Sequence, residues 1–333
     1  MLKSIAKYTV AGTLIVTACL LPHRANAQSI ASRVAQVRDG KVRMSFASRD
    51  DICGWNNGIS TTSRHDRNNG HNSSWGNDRV TDVEYDTDCS EGPARVVLTL
   101  RGGQVEKIRS YVGGRWRTND ATDLGLVSVK DAVDYLLSVA NRDDRRVSGE
   151  AIFPTTLADS VDVDSRLVAI AENESRSDDL RGQAIFWLGQ SRTEKSGDLL
   201  RRLYKTIRDE DVRDKVIFSM SQQNDDESQK WLIDLATNTS ESIELRKKAL
   251  FWAGQTGTPF SQLSGMYGRM REKEMKDQMI FVFSQRREAA ALDKLMDIAK
   301  NDADRDARRK ALFWLGQSKD SRVSAFLSDI INR

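Results

Sequence analysis

From about residue 160 to the C-terminus, apolar positions fall three and four apart in two kinds of alternating segment. In the first kind the stripe is narrow: Leu167/Ile170/Ala171, Leu199/Leu203, Leu232/Leu235/Ala236 and Leu295/Ile298/Ala299. That spacing predicts amphipathic helices burying one face. The second kind is apolar around more of its circumference. It predicts an inner helix, covered by its partner and by the units on either side. Nearer the N-terminus the period changes to two. "KVRMSFASR" from Lys41 and "ARVVLTLRGGQVEKIRSYVGGRW" from Ala94 alternate apolar and polar residues, which predicts strands. Gly102-Gly103 between two such runs reads as a hairpin turn, and "RVTDVEY" at 79–85 as a further strand. "SVKDAVDYLLSVAN" at 128–141 then predicts a helix leading into the helical array.

The inner-helix segments are copies of one another. They read "RGQAIFWLGQ" from Arg181, "RDKVIFSMSQ" from Arg213, "RKKALFWAGQ" from Arg246, "KDQMIFVFSQ" from Lys276 and "RRKALFWLGQ" from Arg308, at steps of 32, 33, 30 and 32 residues. A fixed period in this range marks a repeat architecture. A degenerate copy, "EAIFPTTLADS" at 150–160, precedes them with Pro154 in the place of Trp187. Phe occupies one column throughout: Phe186, Phe218, Phe251, Phe281 and Phe313. Three residues on stands Gly189, Ser221, Gly254, Ser284 or Gly316, small enough to let the next helix approach closely. Two residues before each cation lies an acid, Asp179, Asp211, Glu244, Glu274 or Asp306. It suits the helix N-terminus and could pair with a cation of an adjacent unit.

Odd and even copies differ. Trp187, Trp252 and Trp314 stand in copies one, three and five, whereas Ser219 and Val282 hold that column in copies two and four. The result is a superrepeat of about 64 residues. Either the Trp column is an aromatic grip for an extended partner, or it fills space between alternate helices. The Gln column, with Gln190, Gln255 and Gln317 in the odd copies, divides in the same way. It is a ladder bonded to neighbouring backbone, or a polar stripe facing a ligand.

Two helices per unit, a period near 32 and an acid followed by Arg and Ala-Leu together resemble HEAT-like repeats, particularly the short type named after phycobilisome lyases, here of an exported bacterial kind. The resemblance covers about 150–333. It implies a mainly α fold, a right-handed α-solenoid of HEAT-like helix pairs, and protein–protein scaffolding as its common use. The lyases' bilin chemistry does not carry over, because no motif here would hold it. The expected organisation is a leader at 1–27, a small antiparallel β domain at 28–125, linker helices and a degenerate first repeat at 126–160, and the solenoid at 161–333.

The leader rests on Lys3 and Lys7, an apolar run from Tyr8 to Leu21, and Ala25 and Ala27 before the cut. Val16-Thr17-Ala18-Cys19 supplies a rival reading, a lipobox with a lipid anchor at Cys19. Cleavage near Ala27 makes the product periplasmic or extracellular, and the apolar run is short for a membrane span. The whole chain has 51 Lys+Arg against 48 Asp+Glu, and loss of Lys3, Lys7 and Arg24 leaves 48 against 48. That balance argues against a nucleic-acid partner. Cys53 and Cys89 remain, and an even pair in an exported chain predicts a disulfide.

Between the cysteines, 56–78 is rich in Asn, Gly and Ser and reads as a long exposed loop. Its His65, Asp66, His71 and Asp78 have no spacing that fixes a metal geometry, and Trp55, Trp75 and Trp116 are the aromatic residues a sugar site would use. The chain has no phosphate loop, nucleophile elbow, zinc-protease signature or paired Cys-x-x-Cys. The expectation is a non-catalytic binding scaffold for a protein or peptide partner, an envelope regulator being one version, with no cofactor or metal. Its candidate contacts are Trp187, Trp252, Trp314, Gln190, Gln255, Gln317, Arg246 and Arg308. The alternative is a hydrolase or carbohydrate-active protein with its site in the β domain.

Overall fold

The computed structural model describes residues 28–50, 52–55, 58–61, 85–86, 91–143, 147–191, 195–223 and 225–331. The leader, most of the loop with both its histidines, and Cys89 lie outside them. So do Trp75 and most of the 79–85 segment.

A short helix, α1 (Ile30–Val34), opens the chain. Strands β1 (Gly40–Phe46), β2 (Ile52–Trp55), β3 (Gly58–Thr61), β4 (Tyr85–Asp86), β5 (Ala94–Arg101), β6 (Gln104–Val112), β7 (Arg115–Trp116) and β8 (Ala121–Leu126) follow. Six of them form one sheet in the order β3-β2-β6-β5-β1-β8. The hairpin at Gly102-Gly103 is as expected: both glycines have positive φ, 58° and 80°, as a two-residue turn between twisted strands requires. The alternating runs place Val42, Met44 and Phe46 opposite Leu98, Val96 and Ala94 on one buried face.

Two expectations are corrected here. The sheet is mixed, because β8 returns beside β1 in parallel. The stretch read as loop contains β3, paired antiparallel with β2. Its "GIST" carries β-branched residues that suit an edge strand, a signal outweighed in the sequence by the surrounding Asn and Gly.

The helices are α2 (Val129–Ala140), α3 (Ser148–Ile152) with a 3-10 turn at Phe153–Leu157, α4 (Val163–Glu172), α5 (Asp178–Ser191), α6 (Ser196–Thr206), α7 (Glu210–Ser221), α8 (Asp226–Thr237), α9 (Ile243–Gln255), α10 (Phe260–Tyr267), α11 (Lys273–Gln285), α12 (Ala289–Asn301), α13 (Arg305–Gly316) and α14 (Ser321–Ile331). The five repeated phrases form α5, α7, α9, α11 and α13, each after an outer helix. Side-chain caps start most of them, including Ser128, Asp162, Asp209, Asp225 and Ser242. Inner helices pack in unbroken succession from α3 to α13, while contacts along the outer row are sparser.

Sheet and helices share one core. The apolar cluster runs continuously from Ile30 and Val42 to Val323. Backbone bonds from Arg49 to Leu157 and from Asp159 to Ala47 tie the sheet to the first turn of the array. Glu150 on α3 accepts the amide of Ile108 on β6 at 2.7 Å. The sheet therefore closes the N-terminal end of the array, where the first helical unit would otherwise expose its apolar flank.

The small-residue column sets the spacing between inner helices. A Cβ built on Gly189 would stand 2.8 Å from Ser219 Cβ, and one on Gly254 2.4 Å from Val282 Cγ1. Each odd copy's glycine thus faces the position that holds Trp in odd copies and Ser or Val in even ones. Tryptophan is missing from the even copies because there is no room for it. Gly316 has open space around it. Gly254→Ala should lower stability by about 1–2 kcal/mol, since overpacking of about 1–3 kcal/mol outweighs a helix gain of about 0.5–1. Gly316→Ala should leave stability unchanged or slightly raised. Urea unfolding of the two variants checks this contrast, and equal effects would refute the close-approach account.

Candidate functional site

The exposed face of each inner helix carries three rows that run across the units. The middle row is aromatic. Phe153 lies tilted against Trp187 with ring centroids 4.7 Å apart, and Trp187 meets Phe186 at 5.0 Å. The row continues from Phe186 to Phe218 at 6.3 Å and from Phe218 to Trp252 at 5.0 Å. Trp252 meets Phe251 at 5.0 Å, Phe251 meets Phe281 at 6.0 Å, and Trp314 joins Phe281 and Phe313 at 5.2 and 5.1 Å. These nine rings form one connected ladder.

The Trp column fills space between helices and is not wholly buried by doing so. Each Trp is half-buried against the core and shows its remaining surface along the ladder. Where glycine draws the helices together, Phe–Phe pairs lie nearly parallel, at 7° and 12°. At the other interfaces a Trp fills the gap at a tilt, 60° and 47° to the Phe before it. At the far end Phe313 is 59% exposed.

On one side of the ladder runs the Gln row. Gln255 and Gln317 are exposed and Gln190 is half-buried. Gln222 and Gln285 donate to the hydroxyls of Ser221 and Ser284, both at 3.1 Å. The backbone bonds expected of this column come instead from the residue after it in even copies. Gln223 donates to the carbonyl of Gly189 at 2.6 Å, and Arg286 to that of Gly254 at 2.8 Å. The glycines that admit the neighbouring helix also expose these carbonyls to it.

On the other side runs a cationic row. Lys248 pairs with Asp214 at 3.2 Å and Lys310 with Asp277 at 2.5 Å, each across a unit boundary. In the first unit the acid's position is taken by Gly182, and the stem of Lys215 lies on it instead. Lys215 makes no ion pair among the described residues.

Arg246 and Arg308 point away from this face. Arg246 is 6% exposed; its Nε donates to the carbonyl of Ala236, and its two terminal nitrogens hold Glu272 at 2.7 and 2.6 Å. Arg308 donates to the carbonyl of Asp302 at 2.6 Å. Arg181, which reaches the carbonyl of Ala171 at 3.0 Å, and Arg246 satisfy late carbonyls of the outer helices α4 and α8, while Arg308 holds the loop that follows α12. These arginines are joints within the array, and a partner would find their guanidinium groups already engaged.

The first-turn acids contribute one link between units, and the stronger links use other carboxylates. Asp179, Asp211, Glu244, Glu274 and Asp306 do occupy first turns, and Asp306 pairs back to Lys273. The main inter-unit clamps use Glu241, Glu272 and Asp302, in the loops before α9, α11 and α13. Arg213 and the Tyr204 hydroxyl both engage Glu241, and the Tyr267 hydroxyl donates to Asp302 at 2.7 Å. Burial pushes Glu241 up, but the donors around it outweigh that and hold its carboxyl below the usual range. Burial, with the facing carboxylate, pushes both tyrosine hydroxyls upward.

Above the ladder's first rungs, between α3, α5 and α7, lies a cavity of about 590 Å³ walled by Phe186, Trp187 and Phe218. Ser148 and Ser219 also line it, and their hydroxyls and the Trp187 indole N–H are buried without a hydrogen-bond partner among the described residues. Each such group costs about 1–3 kcal/mol when left unpaired.

On β7, which pairs with β4 in a separate two-stranded sheet, Trp116 packs among Tyr85 and Tyr111, with the guanidinium groups of Arg43 and Arg95 at 5.2 and 5.7 Å from its ring. It is half-buried against a second small core of Tyr85, Val97 and Tyr111. Cys53 is fully buried on β2. Among the described residues no group of three or more His, Cys, Asp or Glu is arranged to hold a metal, and no helix is long and apolar enough to cross a membrane.

Residues 165–259 match the family described as HEAT repeats. The chain carries HEAT-like repeats. The match spans three outer and inner helix pairs, α4–α5, α6–α7 and α8–α9, and the periodicity carries the same unit on to α13. No curated protein matches the chain.

The Arg246–Glu272 clamp gives a pH test. Arg246 holds the Glu272 carboxyl below the ordinary range through its hydrogen bonds. A lowered folded-state pKa adds stability that is complete above the unfolded value, about 4.3, and disappears as pH falls through the folded one. The melting temperature of Glu272→Gln should lie below that of the parent at pH 7, with the gap closing below about pH 4. Arg246→Lys, which loses the paired geometry, should cost about 1–3 kcal/mol at pH 7. A pH-independent gap would remove the clamp from the stability account.

Proposed function

We propose that this chain is an exported, non-catalytic scaffold that holds a protein or peptide partner along the inner face of its helical array, an envelope regulator being one form of that role. The connected ladder of nine rings carries the reading. It runs across five successive inner helices with polar rows on both sides, so an extended partner would gain apolar contact in proportion to the units it crosses. HEAT repeats commonly mediate protein–protein interaction, which fits this use.

Export after cleavage near Ala27, a periplasmic or extracellular location and a Cys53–Cys89 disulfide belong to the same reading. They are supported by the leader pattern and by the burial of Cys53. The right-handed sense and the likeness to the short lyase-type repeat rest on the sequence resemblance.

Affinity capture from the source organism's envelope fraction, with mature 28–333 and a variant carrying Trp187→Leu, Trp252→Leu and Trp314→Leu, tests the proposal. Leucine keeps apolar volume in the core, and circular dichroism checks the fold. The expected outcome is a partner retained by the parent and lost by the folded variant. Capture by both moves the contact surface off the ladder; capture by neither removes the support for scaffolding.

A further inference from the structure

The cavity between α3, α5 and α7 has a composition that the rest of the ladder lacks. Asp143, Glu150, Asp178, Asp179 and Lys215 line its rim; Asp178 is paired with Arg181 at 3.1 Å, and Asp143 accepts from the amide and hydroxyl of Ser177. Glu150 is held by a neutral donor, the amide of Ile108, which leaves its charge unopposed at that bond. The Glu150 carboxylate favours a cation beside it and disfavours an anion.

The floor asks for something else. Ser148 and Ser219 are 3% and 1% exposed, and their hydroxyls and the Trp187 Nε1 have no hydrogen-bond partner among the described residues. The indole can only donate, and a seryl hydroxyl can turn to donate. These groups call for a neutral acceptor, which peptide carbonyls supply without opposing the rim. The parallel rings of Phe186 and Phe218 stand 6.3 Å apart, close to the roughly 6.6 Å between alternate side chains of an extended chain.

From these groups we infer that the cavity is the anchoring subsite for an extended peptide bearing a basic side chain. Its main-chain carbonyls accept from Trp187 and the two serines, its apolar neighbours lie on Phe186 and Phe218, and its Lys or Arg reaches Glu150 at the rim. The inference deepens the scaffold reading and rests on it.

Fluorescence anisotropy on mature 28–333 tests it, with fluorescein-labelled Gly-Val-Lys-Val-Gly amide and its Gln and Glu counterparts as probes. The Lys peptide should bind tightest and the Glu peptide weakest, about tenfold apart or more. Trp187→Phe keeps a ring and removes the donor. Together with Ser219→Ala, tested separately, it should weaken the Lys and Gln peptides alike by about five- to tenfold. Glu150→Gln, which can still accept from Ile108, should weaken the Lys peptide alone. Thermal unfolding confirms that each variant is folded.

Equal binding of the Lys and Glu peptides, or folded variants with unchanged affinity, would overturn the subsite. So would no binding of any peptide. None of these results touches the scaffold reading, which fails only if the envelope capture fails. A captured partner that survives all three pocket variants but is lost with Trp252→Leu and Trp314→Leu would place the grip farther along the ladder and refute this anchor.

Discussion

Everything on the functional face depends on how closely one inner helix can approach the next. At Gly189 and Gly254 the backbones come near enough that an added methyl would strike the neighbouring side chain. That approach aligns the Phe–Phe pairs, brings Gln223 and Arg286 within reach of the glycine carbonyls, and excludes bulk from positions 219 and 282. At the intervening boundaries no glycine stands in the column, and an indole occupies the wider gap. Two kinds of joint therefore alternate, and the aromatic row is the visible edge of both.

Polar chemistry in the array serves mainly to fix these joints. Arg181 and Arg246 close the ends of outer helices, Arg308 holds the loop after α12, and Glu241, Glu272 and Asp302 tie each unit to the one before it. The arginine-rich phrases that look like a basic surface are largely spent inward. What remains outward is a band of rings between amide and lysine rows, which suits contact with another chain better than it suits chemistry. The sheet at the N-terminal end adds a closure, fused to the first helices through a shared core.

The sequence made the helix pairs legible because the same columns recur five times. Repetition separates a packing requirement from chance: Phe, the small residue and the first-turn acid all sit where their spacing put them. The clamps were not legible, because their acids lie in loops of unequal length, 28 residues after Arg213 but 26 after Arg246. The parallel return of β8 was hidden for a similar reason. Of "ATDLGL" only Leu124 is buried, so an edge strand left almost no alternation to read. The cavity could not be foreseen at all, since its residues come from three helices and each reads singly as a cap, a spacer or a surface charge.

The alternation of joints gives the array a parity. Removing one unit, or duplicating one, would set a tryptophan against a glycine that has room only for serine or valine, or leave two narrow partners facing across a wide gap. Such a chain would have to rebuild a boundary at every change of length. Growth or loss in pairs of units meets no such obstacle, so the heritable module of this protein is the pair, and lengths differing by an even number of units are the ones its geometry permits.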